Sequence, residues 1–491
     1  MDRRWFLKMT GSSLAALAMG SCCSLRSGIQ KQRPNVLFIA IDDMNDWIGP
    51  LANHLPKAKT PNIDRLTSKG VMFTNAHCAS PVCHPSRTAV MTGVHPSRSG
   101  IISNVFSSKG EPTWRENEVL KDVETITQHF QNHGYKTFGT GKIYHSLQWW
   151  EGSECPADEW DAYWPSAEKP IPEWVRPNDL IPDEERGLIP GRPLGWSNQL
   201  FGAHPLDVPD EETSDYKVVQ WGISQLKRKH ETPFFLACGI FRPHIPWEVP
   251  QKYFDMYPLE EIKLPPHKEG DLKDAISHGR ESWHKWVVEN NMWEPLVQGY
   301  LACITYADAM LGLLLDGLEE SEYKDNTIIV LWSDQGMHLG EKENWEKFTL
   351  WEESTRVPLF FSAPGITENG NKVDCPVSLI DIYPTLCELT DLPIPKQCDG
   401  ESLVPLLKGV SVKRSKPVIT TYRMQTKTLP NEPRIVGHAV RSERWRYIRY
   451  SNGFEELYDH ENDPHEYTNL AKNPVYGDVI KQLAKYLPSF Q

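Results

Sequence analysis

The sequence predicts an α/β fold: a large, mostly parallel central sheet flanked by helices, followed by a smaller C-terminal α+β subdomain with an antiparallel sheet. Three observations carry this. Unbroken apolar runs of strand length recur, as at 35–41 and 233–240, and such runs mark strands buried on both faces. Segments with helical spacing of apolar residues lie between them, and strands alternating with helices build parallel sheets. Past Leu407 the texture changes to short stretches separated by turn residues, the pattern of antiparallel pairing.

Asn35 to Ile41 is the first strand, and it ends on Asp42-Asp43. Val123 to His133 reads as a helix leading into a strand over Phe138–Gly141, which ends on Lys142-Ile143-Tyr144-His145. Pro233 to Ile240 is the third strand and runs into Arg242-Pro243-His244. The clearest helix is Leu296 to Leu318, with Leu301, Ile304, Ala307, Leu311, Leu314 and Leu315 on its apolar stripe. Thr327 to Trp332 is the fourth strand, ending on Ser333-Asp334-Gln335-Gly336, and Val357 to Phe361 is the fifth. Open α/β sheets bind ligands beyond the carboxyl ends of their strands. One Asp after a strand is an ordinary helix cap; polar endings on four strands point to a shared site.

The stretch from about Trp149 to Asp215 is rich in Pro, Trp and acids and reads as long loops over the sheet edge. Its tryptophans, with Trp149, Trp150, Trp160, Trp164, Trp174 and Trp196, suit stacking on sugars or pinning loops, two readings of equal weight. Strands are expected over 417–422, 438–442, 444–450 and 455–459, with a terminal helix over 476–486. The domains are therefore 1–32, an export signal and linker; 33–412, the catalytic domain; and 413–491, the C-terminal subdomain.

At 491 residues the chain can bury a large core. A net charge of −13 excludes a general nucleic-acid binder, so an anionic ligand must be drawn in by a local basic pocket. The ten cysteines form no CxxC and no zinc spacing. Cys238 and Cys303 sit in apolar runs as core residues, while Cys155, Cys375 and Cys398 fall in loop-like segments where pairing is open. The start, Arg3-Arg4-Trp5-Phe6-Leu7-Lys8, precedes a short apolar run from Leu14 to Met19 and Gly20-Ser21-Cys22. The run is too short to span a bilayer and reads as an export leader of twin-arginine type. Export to the periplasm or cell surface is the expectation, with Cys22 as a site for lipid attachment. No later segment reads as a membrane span.

Cys83-His84-Pro85-Ser86-Arg87, closed by Thr92-Gly93, reads as a short helix with Pro in its first turn and Gly at its end. Cys83 then sits at the positive helix end, which favours an anion. This spacing resembles the signature of the type I sulfatases, in which the Cys is converted to formylglycine by a maturation enzyme. Gly134 to Lys142 followed by His145 resembles the second sulfatase signature. Phe241-Arg242-Pro243-His244-Ile245-Pro246 resembles the segment of the leaving-group histidine. Trp345-Glu346-Lys347 resembles the segment of the second sulfate-binding lysine. Leu457-Tyr458-Asp459 with Asp463-Pro464-His465-Glu466 looks like the C-terminal subdomain motif. The likeness runs from Pro34 to Leu470 and is closest to the iduronate-2-sulfatase-like branch.

Asp42, Asp43 and Asp334, with the Gln335 amide oxygen, are hard oxygen ligands that suit Ca²⁺ or Mg²⁺ and not zinc. The resemblance places Cys83 beside the same ion. It implies that Arg87, Lys142, Lys347 and the ion act on the nucleophile and the sulfate, with Lys142, His244 and Lys347 binding substrate. It also implies that His244 protonates the departing oxygen and His145 helps release the covalent sulfate. Three departures stand out. Gln335 occupies a position where the family often has Asn or His. Ser97-Arg98-Ser99-Gly100 replaces the branch's Thr-Thr-Arg run, and Met337 replaces its Trp. The expected function is hydrolysis of sulfate esters on a carbohydrate of glycosaminoglycan or algal type, with a uronate O-sulfate among the options. Two alternatives remain open: a phosphonate monoester or phosphodiester hydrolase of the same superfamily, and an inactive carbohydrate-binding homologue.

Overall fold

The computed structural model describes residues 33–52, 56–104, 114–145, 157–164, 202–410, 414, 416–424 and 434–490. The expected export leader with Cys22, and Cys155, Trp149, Trp150, Trp174 and Trp196, lie outside the described residues. Pro34–Gln491 forms one compact unit.

Eight strands build the central sheet: β1 (Asn35–Ile41), β2 (Val71–Phe73), β3 (Lys136–Gly141), β4 (Ala162–Trp164), β5 (Phe234–Ile240), β6 (Thr327–Ser333), β7 (Leu359–Ser362) and β8 (Asn371–Val373). Their spatial order is β8-β2-β7-β6-β1-β5-β3-β4. From β6 across to β4 every pairing is parallel. Only β7 is reversed, antiparallel to both β6 and β2. All five expected strands are present, the first with its bounds unchanged and the others with ends shifted by at most two residues. Sequence reading passed over β2, β4 and β8, which are three residues each and too short to show a period.

The unbroken apolar run of β1 has a direct cause. Leu37, Ile39 and Ile41 point into one hydrophobic cluster, and Val36, Phe38 and Ala40 into another on the opposite face. Both faces are covered, so neither alternate set can be polar. The helices used below are α1 (Cys83–Thr92), α2 (Ile126–Asn132), α3 (Ser214–Leu226), α4 (Glu281–Glu289), α5 (Trp293–Glu319) and α6 (Ile382–Leu389). α3 and α5 pack on the first face, and α1, α2 and α6 on the second. α5 has the length and apolarity of a membrane span, which the sequence reading had not assigned to it, but its residues are mostly buried in the core. Cys238 and Cys303 are buried core residues; Cys375 and Cys398 are free thiols.

The C-terminal sheet is β9 (Val418–Arg423), β10 (Val436–Arg441), β11 (Trp445–Tyr450) and β12 (Glu455–Asp459), antiparallel throughout. Gly477–Ala484 is the terminal helix. A buried ion network ties this sheet to the segment after Lys347. Arg446 pairs with Glu466 at 2.6 Å and with Glu352, and it donates to the Leu350 carbonyl at 2.9 Å. Arg441 pairs with Glu352 at 3.1 Å, and Trp351 donates to Glu456 at 2.7 Å. Glu352, His460 and Glu466 come close enough to hold an ion, but two arginines already neutralise them.

Candidate active site

The parallel strands deliver their carboxyl ends to one place. Asp42 and Asp43 leave β1, Asp334 and Gln335 leave β6, Lys142 leaves β3, and the turn after β5 carries His244. α1 starts at this point: Cys83 is its first residue, and Gly93 ends it in the left-handed conformation at φ 72°. All ten residues of α1 are buried, including Arg87 and Ser86. A buried guanidinium needs partners, and Arg87 has four. Its Nε donates to Asp334 at 2.7 Å, Nη2 to Asp42 at 2.9 Å, and Nη1 to the Lys142 and Ile143 carbonyls at 2.6 and 3.1 Å. Ser86 Oγ donates to the Asp334 carbonyl at 2.6 Å. One helix turn thus fixes the ends of three strands.

Two ammonium groups and an amide N–H converge on the sulfur of Cys83. Lys347 Nζ lies 3.1 Å from Sγ, Gln335 Nε2 3.3 Å and Lys142 Nζ 3.9 Å. Lys347 also donates to both Asp43 oxygens, at 2.5 and 2.8 Å, and Lys142 pairs with Asp42. Lys347 is presented by strained backbone: Glu346 at φ 64° and Phe348 at φ 80° flank it. Such conformations persist where the surroundings over-determine them. His244 Nδ1 lies 2.6 Å from the Ile245 carbonyl, so that nitrogen carries the proton. Its Nε2 lies 3.7 Å from Asp43 Oδ2. Asp215 holds this turn by accepting from Phe241 N at 2.8 Å and Arg242 N at 3.0 Å. His145 lies at the edge of the group, its ring stacked on His84 at 6.2 Å between centroids.

Burial and charge set the protonation states. Burial pushes the Cys83 thiol up to about 12 despite both lysines, so it stays protonated at neutral pH. Burial also raises Asp334, to about 7, with the charges of Asp42 and Asp43 adding to it and Arg87 opposing. Asp43 is likewise raised by burial. Asp42 goes the other way: Lys142 and Arg87 overcome its burial and hold it well below the usual range. Burial and then the lysines keep His244 neutral, and burial with Lys142 and His84 does the same for His145.

The donor set fits a hard divalent cation. Ligand atoms of Asp42, Asp43, Cys83 and Asp334 lie within 4.8 Å of one another. Gln335 Oε1 is buried and accepts no hydrogen bond, an orphaned acceptor of the kind a cation satisfies.

The structure brings together Cys83, Arg87, Lys142, His244, Lys347, Asp42, Asp43, Asp334 and Gln335, with His145 beside them. Sequence reading missed three supports. Tyr300 donates to the Asp43 carbonyl at 2.7 Å and accepts from Asn45 N at 2.9 Å. Ser333 Oγ accepts from Met44 N at 2.9 Å. Asn104 Oδ1 accepts from His84 N at 2.9 Å in the first turn of α1. Tyr300 sits in the apolar stripe of α5 and gave no separate signal.

A family model described as Sulfatase matches residues 34–392. A second, described as N-sulphoglucosamine sulphohydrolase, C-terminal, matches 340–491. A sulfatase of Formosa agariphila is 37% identical, covering 99% of this chain and 92% of that protein. Mouse iduronate 2-sulfatase is 25% identical, covering 95% of this chain and 97% of its own. Among solved structures, a phosphonate monoester hydrolase from Silicibacter pomeroyi has a TM-score of 0.72 at 21% identity, covering 92% of this chain and 94% of that one. The fold is thus shared with hydrolases of another ester, and the choice between esters rests on sequence. With one family model spanning the central sheet and a relative aligned over nearly the whole length, the chain belongs to the sulfatase family, and its reaction is the hydrolysis of a sulfuric ester.

Proposed function

We propose that this chain is an exported, formylglycine-dependent sulfatase that removes sulfate from a sulfated carbohydrate. The observation that carries this reading is the position of Cys83. It stands at a buried helix start between two lysines and three carboxylates, as a thiol too weakly acidic to act as a nucleophile itself. Conversion of Cys83 to formylglycine by a maturation enzyme would supply the nucleophile this pocket otherwise lacks. Similarity to iduronate 2-sulfatase supports a sugar sulfate as substrate. The paired arginines and apolar run at the start of the chain support export to the periplasm or cell surface.

Asp42, Asp43, Asp334 and Gln335 would hold Ca²⁺, with Mg²⁺ the other hard cation that suits them. Such an ion, when bound, offsets negative charge on sulfate oxygens and on the attacking oxygen. Lys142 and Lys347 approach the Cys83 side chain from two directions and stabilise charge on the same oxygens. Arg87 bridges Asp42 and Asp334 and keeps both carboxylates aimed at the site. His244 holds its Nδ1 proton on the Ile245 carbonyl, so Nε2 faces the site as an acceptor. It becomes an acid toward the leaving oxygen once the charge of a bound sulfate ester raises its pKa. His145 stands next to Lys142 and is neutral, as a base for the release step must be.

The test is direct. The chain is co-expressed with a formylglycine-generating enzyme, its Cys83 peptide is weighed, and para-nitrophenyl sulfate is compared with a phosphodiester. Aldehyde at Cys83 together with preferential sulfate release supports the reading. Preferential phosphodiester turnover, or full activity in Cys83→Ala, refutes it.

A further inference from the structure

Among the described residues outside the groups already named, a further cation stands near the site. Arg280 precedes α4, and its Cζ lies 4.2 Å from the Trp283 ring centroid and 5.6 Å from that of Phe348. Its Nη2 lies 2.7 Å from Glu346 Oε2, and its side chain is 19% exposed. Phe348 is the next residue after Lys347, whose Nζ lies 6.0 Å from the same Phe348 ring. The guanidinium and the ammonium that touches Cys83 therefore border the same aromatic ring.

The surroundings hold Arg280 in place, and Glu346 offsets its charge from one edge of the guanidinium. The aromatic rings cover its faces, which costs the guanidinium little because it is weakly hydrated. Its in-plane N–H groups form a fork suited to a carboxylate or a sulfate, and one contact goes to Glu346. The two residues at positive φ, Glu346 and Phe348, are the two that Arg280 touches next to Lys347. The strain that aims Lys347 also places this second cation. A protein of net charge −13 has little general attraction for a polyanion, so a local cation has a role to fill.

We propose that Arg280, which shares the Phe348 ring with Lys347, is a subsite for a second anionic group on the substrate, a uronate carboxylate or a second sulfate. This rests on the sulfated-carbohydrate reading above. Recognition of this kind acts on binding, so it is expressed in KM more than in kcat.

The matured full chain and its Arg280→Ala and Arg280→Lys variants would be assayed on four substrates. These are para-nitrophenyl sulfate, an O-sulfated uronate–hexosamine disaccharide, its carboxyl-reduced counterpart, and a disulfated neutral disaccharide. Arg280→Ala should lose about tenfold in kcat/KM, mainly through KM, on a substrate with the second anion, and less than about twofold on the aryl sulfate. Arg280→Lys should recover part of the loss. The carboxyl-reduced and disulfated substrates separate carboxylate from sulfate. Equal losses on all substrates, or no loss on any, overturn the subsite and leave Arg280 as a structural partner of Glu346. A matured wild type that cleaves the aryl sulfate but no saccharide overturns the carbohydrate reading, and the subsite with it.

Discussion

The ammonium of Lys347 sits 3.1 Å from the sulfur of Cys83 although the two residues are 264 positions apart in the chain. Burial alone would discharge this lysine, but Asp43 and the other acids around it raise its pKa well above the ordinary value. It therefore stays charged at the atom where chemistry begins. Lys347→Ala should lower kcat by about 10²–10³ on an aryl sulfate, the loss seen when one charge-stabilising donor is removed. Lys347→Arg should not rescue it, because a planar fork cannot replace a point charge in a fully packed pocket. Steady-state kinetics on matured protein of unchanged melting temperature would decide; a drop below about fivefold would remove Lys347 from the charge-stabilising set.

Arg87 predicts a loss of stability as well as of activity. It is fully buried between Asp42 and Asp334, also fully buried. Removing the guanidinium strands two carboxylates away from water, and breaking a buried pair in this way costs about 3–5 kcal/mol. Arg87→Met should lower the unfolding free energy read from urea melts by that amount, whereas Cys83→Ala should change it by under about 1 kcal/mol. Similar midpoints for the two variants would show that the arginine is not what holds the strand ends together.

Gln335 carries the prediction about the ion. Its buried Oε1 accepts no hydrogen bond, while its Nε2 contacts Asp43. If Oε1 serves a cation, adding Ca²⁺ to chelator-treated protein should raise stability by about 2.7 kcal/mol when Ca²⁺ is at one hundred times its Kd. Gln335→Ala should shift the Ca²⁺ titration to about 10–100-fold higher concentration. Thermal melts against Ca²⁺ read this without any assay of activity. An unchanged titration in Gln335→Ala would exclude the amide as a ligand.

Much of this site could be read before the structure because its residues cluster at strand ends. Asp42-Asp43, Ser333-Asp334-Gln335, Lys142 to His145 and Arg242-Pro243-His244 each follow an apolar run, and a parallel sheet brings such ends together. Lys347 follows a strand of only two residues, Trp345–Glu346, and was placed by motif alone. Arg280, Tyr300 and the Arg446–Glu352 network were not legible. Each acts through a contact between residues far apart in sequence, and none breaks a local pattern: Tyr300 reads as helix core, and Arg446 as one charge in an alternating strand. Periodicity records which face a residue occupies, not which distant partner meets it.

The last prediction concerns acid. His338, buried, and His278, half-buried, lie against the Trp351 ring, at 6.0 and 4.7 Å between centroids. Burial lowers the pKa of each to about 3. Their folded values lie below the unfolded value near 6.5, so both are neutral in the native state. As pH falls from 6.5, the unfolded chain takes up protons that the native protein refuses, and stability drops. Between pH 6.5 and about 3 each histidine adds up to about 1.4 kcal/mol per pH unit to that fall; the stability is fully present above pH 6.5 and lost as pH approaches 3. His278→Phe removes one such proton and keeps an aromatic ring against Trp351. Its stability relative to wild type should therefore rise by about 2 kcal/mol between pH 6.5 and 4.5, whatever the difference is at neutral pH. Urea unfolding of both proteins across that range measures it. Parallel curves would mean that native His278 takes up its proton as readily as the unfolded chain does, and that the packing around Trp351 accommodates its charge.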